Sequence, residues 1–412
     1  MKKIGSSKIY LSLLVAVFGL VAHGIAQNGK NRKPNFVIIF TDDQGYGDLG
    51  CFGSQTVKTP IIDKMASEGT KLTSFYVAAP VCTPSRAALM TGSYPKRVDM
   101  AYGSNFAVLL SADSKGLNPA ERTIAEVLKD AGYATGIFGK WHLGDQPDFL
   151  PTRQGFDEFF GIPYSHDIHP FHPRQDHYNF PPLPLLEGEE VIEMEPDADY
   201  LTQRITERAV KFIEKNKENP FFLYVPHPLP HHPLHVSPKF METVPDSLKA
   251  MLSGENESVD YTVRGGLYPH GISEIDWSVG QIMNTLKKLG LSENTFVVFT
   301  SDNGPDAGYG RKGLGSAGSL KGRKGTTFEG GMREPTVMYW PGVIPAGTTN
   351  DELMTTMDLL PTFAKLAGAP LPEDRVIDGK DIFSTLLGKR KTPHKAFFYH
   401  RTNNLQAVRM GK

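Results

Sequence analysis

Asn35-Phe36-Val37-Ile38-Ile39-Phe40-Thr41 is an uninterrupted apolar, β-branched run that ends directly in Asp42-Asp43. A run of this length without polar alternation fits a strand covered on both faces, as in a parallel sheet sandwiched by helices. Working outward, residues 59–68 have helical spacing, with Ile61, Ile62, Met65 and Ala66 on one side and a threonine before proline at the start. A helix is predicted over 121–131 and a strand over 134–138. The pairing returns as helix 200–217 with strand 221–225, and again as helix 272–289 with strand 295–300. Helix followed by strand at this spacing predicts an α/β protein with a mostly parallel sheet flanked by helices. Residues 163–196, rich in Pro, His and acidic side chains without a period, read as one long loop.

The 412 residues are 40% hydrophobic and 22% charged, ordinary globular usage that excludes disorder, coiled coil and collagen. Lys+Arg 44 against Asp+Glu 45 leaves no basic excess, so no nucleic-acid partner is expected. Two cysteines, Cys51 and Cys82, make no disulfide framework. Cys51, in a Gly-rich turn without a basic neighbour, reads as a small buried apolar residue. Residues 1–26 read as a signal peptide: Lys2, Lys3 and Lys8 precede an apolar stretch, and Gly24-Ile25-Ala26 offers a cleavage site. The stretch is shorter than the roughly 20 apolar residues of a membrane span, so the mature protein is expected to be exported, periplasmic or secreted, with no stable span. Residues 27–34 form a polar linker. Asn256-Glu257-Ser258 is a glycosylation sequon of a kind that arises easily by chance.

In open α/β sheets ligands gather at the carboxyl ends of the strands. Four predicted strands run there into polar residues: Asp42-Asp43, Lys140-Trp141-His142, a histidine-rich stretch through His231, His232 and His235, and Asp302-Asn303. Asp42, Asp43, Asp302 and Asn303 are hard oxygen donors suited to Ca²⁺ or Mg²⁺ rather than zinc. Arg86, Lys140, His142, His231 and Lys324 would crowd positive and titratable groups beside them. A multi-oxygen anion such as sulfate or phosphate needs that kind of clamp, and its leaving oxygen needs a general acid.

Cys82-Thr83-Pro84-Ser85-Arg86 resembles the signature of the formylglycine-dependent sulfatases, of arylsulfatase A and N-acetylgalactosamine-6-sulfatase type. In that family the cysteine is oxidised after translation to formylglycine. The likeness extends to Thr41-Asp42-Asp43-Gln44-Gly45-Tyr46-Gly47-Asp48-Leu49-Gly50, Gly139-Lys140-Trp141-His142-Leu143-Gly144 and Gly161-Ile162-Pro163-Tyr164-Ser165-His166-Asp167. It continues through Ser301-Asp302-Asn303-Gly304 and the stretch from Gly322 to Gly331. These motifs keep the family's order across roughly residues 34–412. The fold implied is the alkaline-phosphatase-like α/β sandwich, with a catalytic domain over 35–390. A small C-terminal antiparallel subdomain follows, of which 391–412 would be only the beginning.

The resemblance implies roles position by position. Formylglycine at Cys82, hydrated to a geminal diol, would attack the sulfur of a sulfate ester. Asp42, Asp43, Asp302 and Asn303, with the modified Cys82, would hold one Ca²⁺. Arg86 and Lys140 would steady the charged diol, and Ser165 would contact the sulfate. His231 and Lys324 would help the alcohol leave. His142 would take the second hydroxyl's proton, so that sulfate is expelled and the aldehyde returns. A second hydroxyl on the same carbon is a built-in way to eject a covalent sulfate, which serine or unmodified cysteine lacks. His227 and His232 stay open beside His231 as the leaving-group acid. The implied partners are a sulfated carbohydrate or aryl sulfate, and a formylglycine-generating or anaerobic sulfatase-maturating enzyme acting on Cys82. The alternative is a phosphate or phosphonate monoester hydrolase of the same superfamily, which would use Thr or Ser with histidine-rich two-metal ligation. A non-catalytic glycan-binding relative would have lost Cys82 or a metal carboxylate, and none is lost.

Overall fold

A computed structural model describes residues 32–253, 261–308 and 313–411. The expected signal peptide and the sequon lie outside these residues. The strands are β1 (Asn35–Thr41), β2 (Thr70–Leu72), β3 (Phe75–Tyr76), β4 (Ala134–Lys140), β5 (Glu158–Ile162), β6 (Pro184–Glu187) and β7 (Glu190–Met194). They continue as β8 (Phe221–Pro226), β9 (Thr295–Ser301), β10 (Thr336–Tyr339), β11 (Thr348–Asn350), β12 (Met354–Thr355), β13 (Phe397–Arg401) and β14 (Asn404–Arg409). Ten of them form one sheet in the order β11-β2-β10-β9-β1-β8-β4-β5-β6-β7. Its centre, β9-β1-β8-β4-β5, is parallel, and β10, β6 and β7 join antiparallel.

Both faces of β1 are buried, as its sequence requires. Phe36, Ile38 and Phe40 enter one core with Phe222, Tyr224, Phe296 and Val298; Val37 and Ile39 enter the other with Leu223, Val225, Val297 and Phe299. This is the two-residue alternation of a strand read on an apolar background. The first face is covered by helices α2 (Cys82–Thr91), α3 (Ile124–Asp130) and α6 (Leu359–Ala367), the second by α1 (Pro60–Glu68), α4 (Leu201–Lys215) and α5 (Tyr268–Lys288). The predicted helix-strand pairs are all present, which makes this the expected sandwich.

Two readings change. The segment taken as one loop, 163–196, carries the short helix Gln175–Tyr178 and the hairpin β6–β7, which extends the sheet beyond β5. Hydrogen bonding to a sheet edge overrode a composition poor in strand formers. Cys51 is only partly buried, and Lys71 Nζ donates to its carbonyl at 3.0 Å, so a basic neighbour is present after all.

At the C-terminal end, β13 and β14 form a small antiparallel sheet. Phe397 packs on Tyr76 of β3 with ring centroids 5.2 Å apart, and the Tyr399 hydroxyl donates to Glu329 at 3.1 Å. No helix among the described residues is long and apolar enough to cross a membrane.

Candidate active site

The carboxyl ends of β1, β9, β8 and β4 lie side by side, so the residues that follow them converge. Backbone pairing fixes the approach: the Asp42 amide donates to Leu229 O at 3.0 Å and the Asp302 amide to Thr41 O at 3.0 Å. Two turns adopt positive φ without glycine, at Asp43 (66°) and His142 (63°). Such a conformation costs a non-glycine residue roughly 1 kcal/mol or more, and here both residues belong to the candidate site. Gly139, on the strand that delivers Lys140, is glycine for a steric reason: with φ 137°, a Cβ there would lie 2.0 Å from Pro226 O at the end of β8.

Cys82 is the first residue of α2, in its positive end. Pro84 sits in the first turn, where a missing N–H leaves no helical bond unmade. Arg86, one turn on, therefore faces the same way as Cys82. Its guanidinium donates to Asp302 Oδ2 at 3.1 and 2.8 Å and to the Lys140 carbonyl at 2.9 Å. Ligand atoms of Asp42, Cys82 and Asp302 all lie within 4.8 Å of one another, and so do those of Asp42, Asp43 and His231.

Three carboxylates thus meet three cations: Asp42 with Lys140, Asp302 with Arg86, and Asp43 with Lys324 at 2.7 Å. Burial alone would raise the Asp42 carboxyl, but Lys140, His231 and Arg86 hold it well below its usual range. Asp302, raised by burial and by neighbouring Asp42, is pushed up to about 7. Burial also lifts the Cys82 thiol to about 11, against the pull of Lys140 and Lys324, so unmodified cysteine here is a protonated thiol.

Asn303 Nδ2 donates to Asp43 Oδ1 at 2.7 Å and to Gly304 O at 3.0 Å, which leaves Asn303 Oδ1 as an acceptor. Asn303 Oδ1 and Asp42 Oδ1 are fully shielded from solvent and have no hydrogen-bond partner. Orphaned buried oxygens are costly, and a hard cation bound by oxygen ligands satisfies both. Asp42, Asp43, Asp302 and Asn303 therefore fit such an ion.

The histidines separate by environment. His142 Nε2 faces Leu109 O at 2.9 Å, leaving Nδ1 buried without a partner, and burial with Lys140 drives its pKa well down. His231 Nδ1 donates to the His232 carbonyl at 2.6 Å, and Nε2 lies 3.6 Å from Asp43. His232 Nε2 is 3.3 Å from Asp306. His227 turns away to Ser278 on α5, at 3.1 Å, and lines no part of the cavity over Cys82. That cavity, about 610 Å³, is lined by Cys82, His142, Ser165, His231, His232 and Lys324 among others. A sequence profile described as Sulfatase matches residues 34–369, across this whole constellation.

The chain belongs to the sulfatase family. It is thereby a sulfuric ester hydrolase. It is similar to arylsulfatase A of Homo sapiens, 41% identical over 406 residues that cover 92% of this chain and 74% of the relative. N-acetylgalactosamine-6-sulfatase of Mus musculus is 40% identical, covering 98% of this sulfatase and 74% of the relative. Among solved structures, Ps i-CgsB in complex with k-i-k-neocarrahexaose is 34% identical with a TM-score of 0.74, covering 92% of this chain and 82% of that one.

Sequence reasoning missed several groups in the sulfatase's site. Glu334, fully buried, has both carboxyl oxygens without a hydrogen-bond partner; burial, Asp302 and Asp43 push its pKa well up. Its signal was one acid in an apolar, Gly-rich context, visible only once the fold puts it behind the cluster. Asp167 and Asp306 line the cavity; Asp167 stood in a quoted motif without a role.

Proposed function

We propose that this sulfatase is exported, binds Ca²⁺ and removes sulfate from sulfated carbohydrate, with Cys82 converted to formylglycine. One observation carries the reading. Cys82 stands at the start of α2, within 4.8 Å of carboxylate oxygens of Asp42 and Asp302, on the wall of a cavity it shares with His142, Ser165, His231 and Lys324. As a protonated thiol it would be a poor nucleophile, whereas hydrated formylglycine supplies one hydroxyl to attack sulfur and another to release the sulfate. Asp42, Asp43, Asp302 and Asn303 would hold Ca²⁺, which supplies positive charge against a sulfate oxygen.

The remaining work falls to the protein's side chains. Arg86 and Lys140 orient the nucleophile and offset charge in a site shielded from water. Lys324 and Ser165 bind sulfate oxygens. As the diol oxygen bonds to sulfur its proton passes to the Asp302 carboxylate, which lies within 4.8 Å of position 82, while His231, protonated at Nε2, donates a proton to the bridging oxygen as the S–O bond to the alcohol breaks. His142 accepts a proton at its unpartnered Nδ1 from the second hydroxyl as sulfate departs. The likeness to a structure holding a neocarrahexaose supports a saccharide substrate. The apolar stretch with basic start in residues 1–26 supports export.

The test is sulfate release from sulfated saccharides and aryl sulfates, by protein co-produced with a formylglycine-generating enzyme, with Cys82→Ala as control. The expected result is release that requires Cys82, an aldehyde mass at position 82, and an unchanged fold in the variant. Turnover retained by Cys82→Ala, or phosphate released faster than sulfate from matched esters, would overturn the reading.

A further inference from the structure

The cavity over Cys82 is larger than a sulfate group needs, and its outer walls carry chemistry that sulfate transfer does not use. Asp167 is one such group. Its Oδ1 is shielded from solvent with no hydrogen-bond partner, although the side chain lines the cavity. Arg174 is another. Its guanidinium lies 5.1 Å over the Tyr178 ring, and no described carboxylate forms a salt bridge with it. Tyr178 in turn stacks on Phe180, centroids 4.8 Å apart and 7° from parallel, so the arginine rests on a two-ring wall. Phe106, 45% exposed, adds an apolar surface to the same cavity.

These features suit different parts of one ligand. Half-exposed aromatic faces suit the C–H faces of a sugar ring. A shielded carboxylate oxygen without a donor suits a ring hydroxyl, because an unmet buried acceptor is costly. A guanidinium held over an aromatic ring has less freedom to lose, and its fork matches a two-oxygen anion. An aryl sulfate gives neither Asp167 nor Arg174 a partner.

We propose that the outer cavity selects a saccharide bearing a second acidic group besides the sulfate to be removed, with Asp167 accepting from a ring hydroxyl and Arg174 pairing with that second acid. The inference rests on the sulfatase reading of the cavity floor. The second acid is a carboxylate or another sulfate ester; both offer the paired oxygens that Arg174 takes.

The experiment measures kcat/KM for matched substrates: an aryl sulfate, a neutral monosulfated saccharide, that saccharide with a second sulfate, and that saccharide with a neighbouring uronate. Wild type is expected to favour at least one doubly acidic saccharide over the neutral one by about tenfold or more, the range of a charge-assisted pair. Arg174→Ala should cut that preference by about tenfold, mainly through KM. Arg174→Lys should restore part of it. Asp167→Asn should raise KM for every saccharide and leave KM for the aryl sulfate unchanged; a loss confined to kcat would instead mark an effect through His231, which lies beside Asp167. Which doubly acidic member responds tells sulfate from carboxylate. A preference unchanged in Arg174→Ala, or equal losses on all four substrates, overturns the proposal. A parallel arm titrates the unreactive Cys82→Ala protein with the same saccharides by calorimetry. Binding that discriminates the second acid and is lost in Cys82→Ala/Arg174→Ala supports the proposal even where no turnover is seen; binding without discrimination overturns it. Absence of sulfate release with the aldehyde confirmed would count against the sulfatase reading alone.

Discussion

His231 and His227 stand four residues apart in one histidine-rich stretch, yet only one can meet a substrate. His227 is buried against Ser278, and burial alone pushes its pKa down to about 4. His231 lines the cavity with Nε2 toward Asp43. A general acid matters most when the departing alcohol is a poor leaving group. His231→Gln should therefore lower kcat by about 10²–10⁴ on sugar sulfates, and by much less on aryl sulfates of acidic phenols. The slope of log kcat against leaving-group pKa should steepen in this variant. The same slope measured for His227→Gln should match wild type, because that side chain serves the packing beneath the site. Steepening in the His227 variant instead would reverse the assignment.

At the level of elements, α5 carries two buried acids, Glu274 and Asp276, on different sides of the helix. Asp276 accepts from the amides of Ile61 and Ile62 and so caps α1. Glu274 accepts from the Ser237 amide at 2.9 Å, while its other oxygen has no partner, and burial raises its pKa to about 7. A folded-state pKa above the unfolded value means the folded protein holds the proton more tightly. That stabilisation is complete below about pH 4.5 and is lost as pH rises toward 7, a swing of up to about 3 kcal/mol. Glu274→Gln keeps an acceptor for Ser237 and removes the titration. Its melting temperature should gain on wild type between pH 5 and pH 8, and a constant difference across that range would refute the assignment.

The molecule as a whole brings three carboxylates and three cations to one edge of one sheet, so the cluster is close to neutral before anything binds. A divalent cation alone would leave an excess of positive charge, and a sulfate group alone an excess of negative charge. The two together restore the balance, so their binding should be mutually favourable. Sulfate is expected to increase the rise in melting temperature produced by Ca²⁺, and Ca²⁺ to tighten sulfate binding by the same factor. Thermal shifts that merely add would show that the two charges do not meet in one site. Asp302→Asn should abolish both the metal response and the coupling.

How much of this was legible follows from the physics of each signal. β1 was readable to the residue, because a strand covered on both faces must be apolar throughout and Asp42-Asp43 marks where the cover ends. The helix-strand alternation fixed the sandwich, and the ordered motifs named the family and its candidate residues. The hairpin β6–β7 was not readable, since its strands are set by pairing to β5 rather than by their own composition. That His227 points away while His231 and His232 reach the cavity depends on which way the chain turns after β8, and all three have the same side chain. Glu334, Asp167 and Arg174 gained meaning only from their surroundings. The chain's own chemistry determined the sheet, its helices and the kind of residues at the strand ends. Burial and distance, which exist only after folding, decided which of those residues share one cavity and which acids stay protonated.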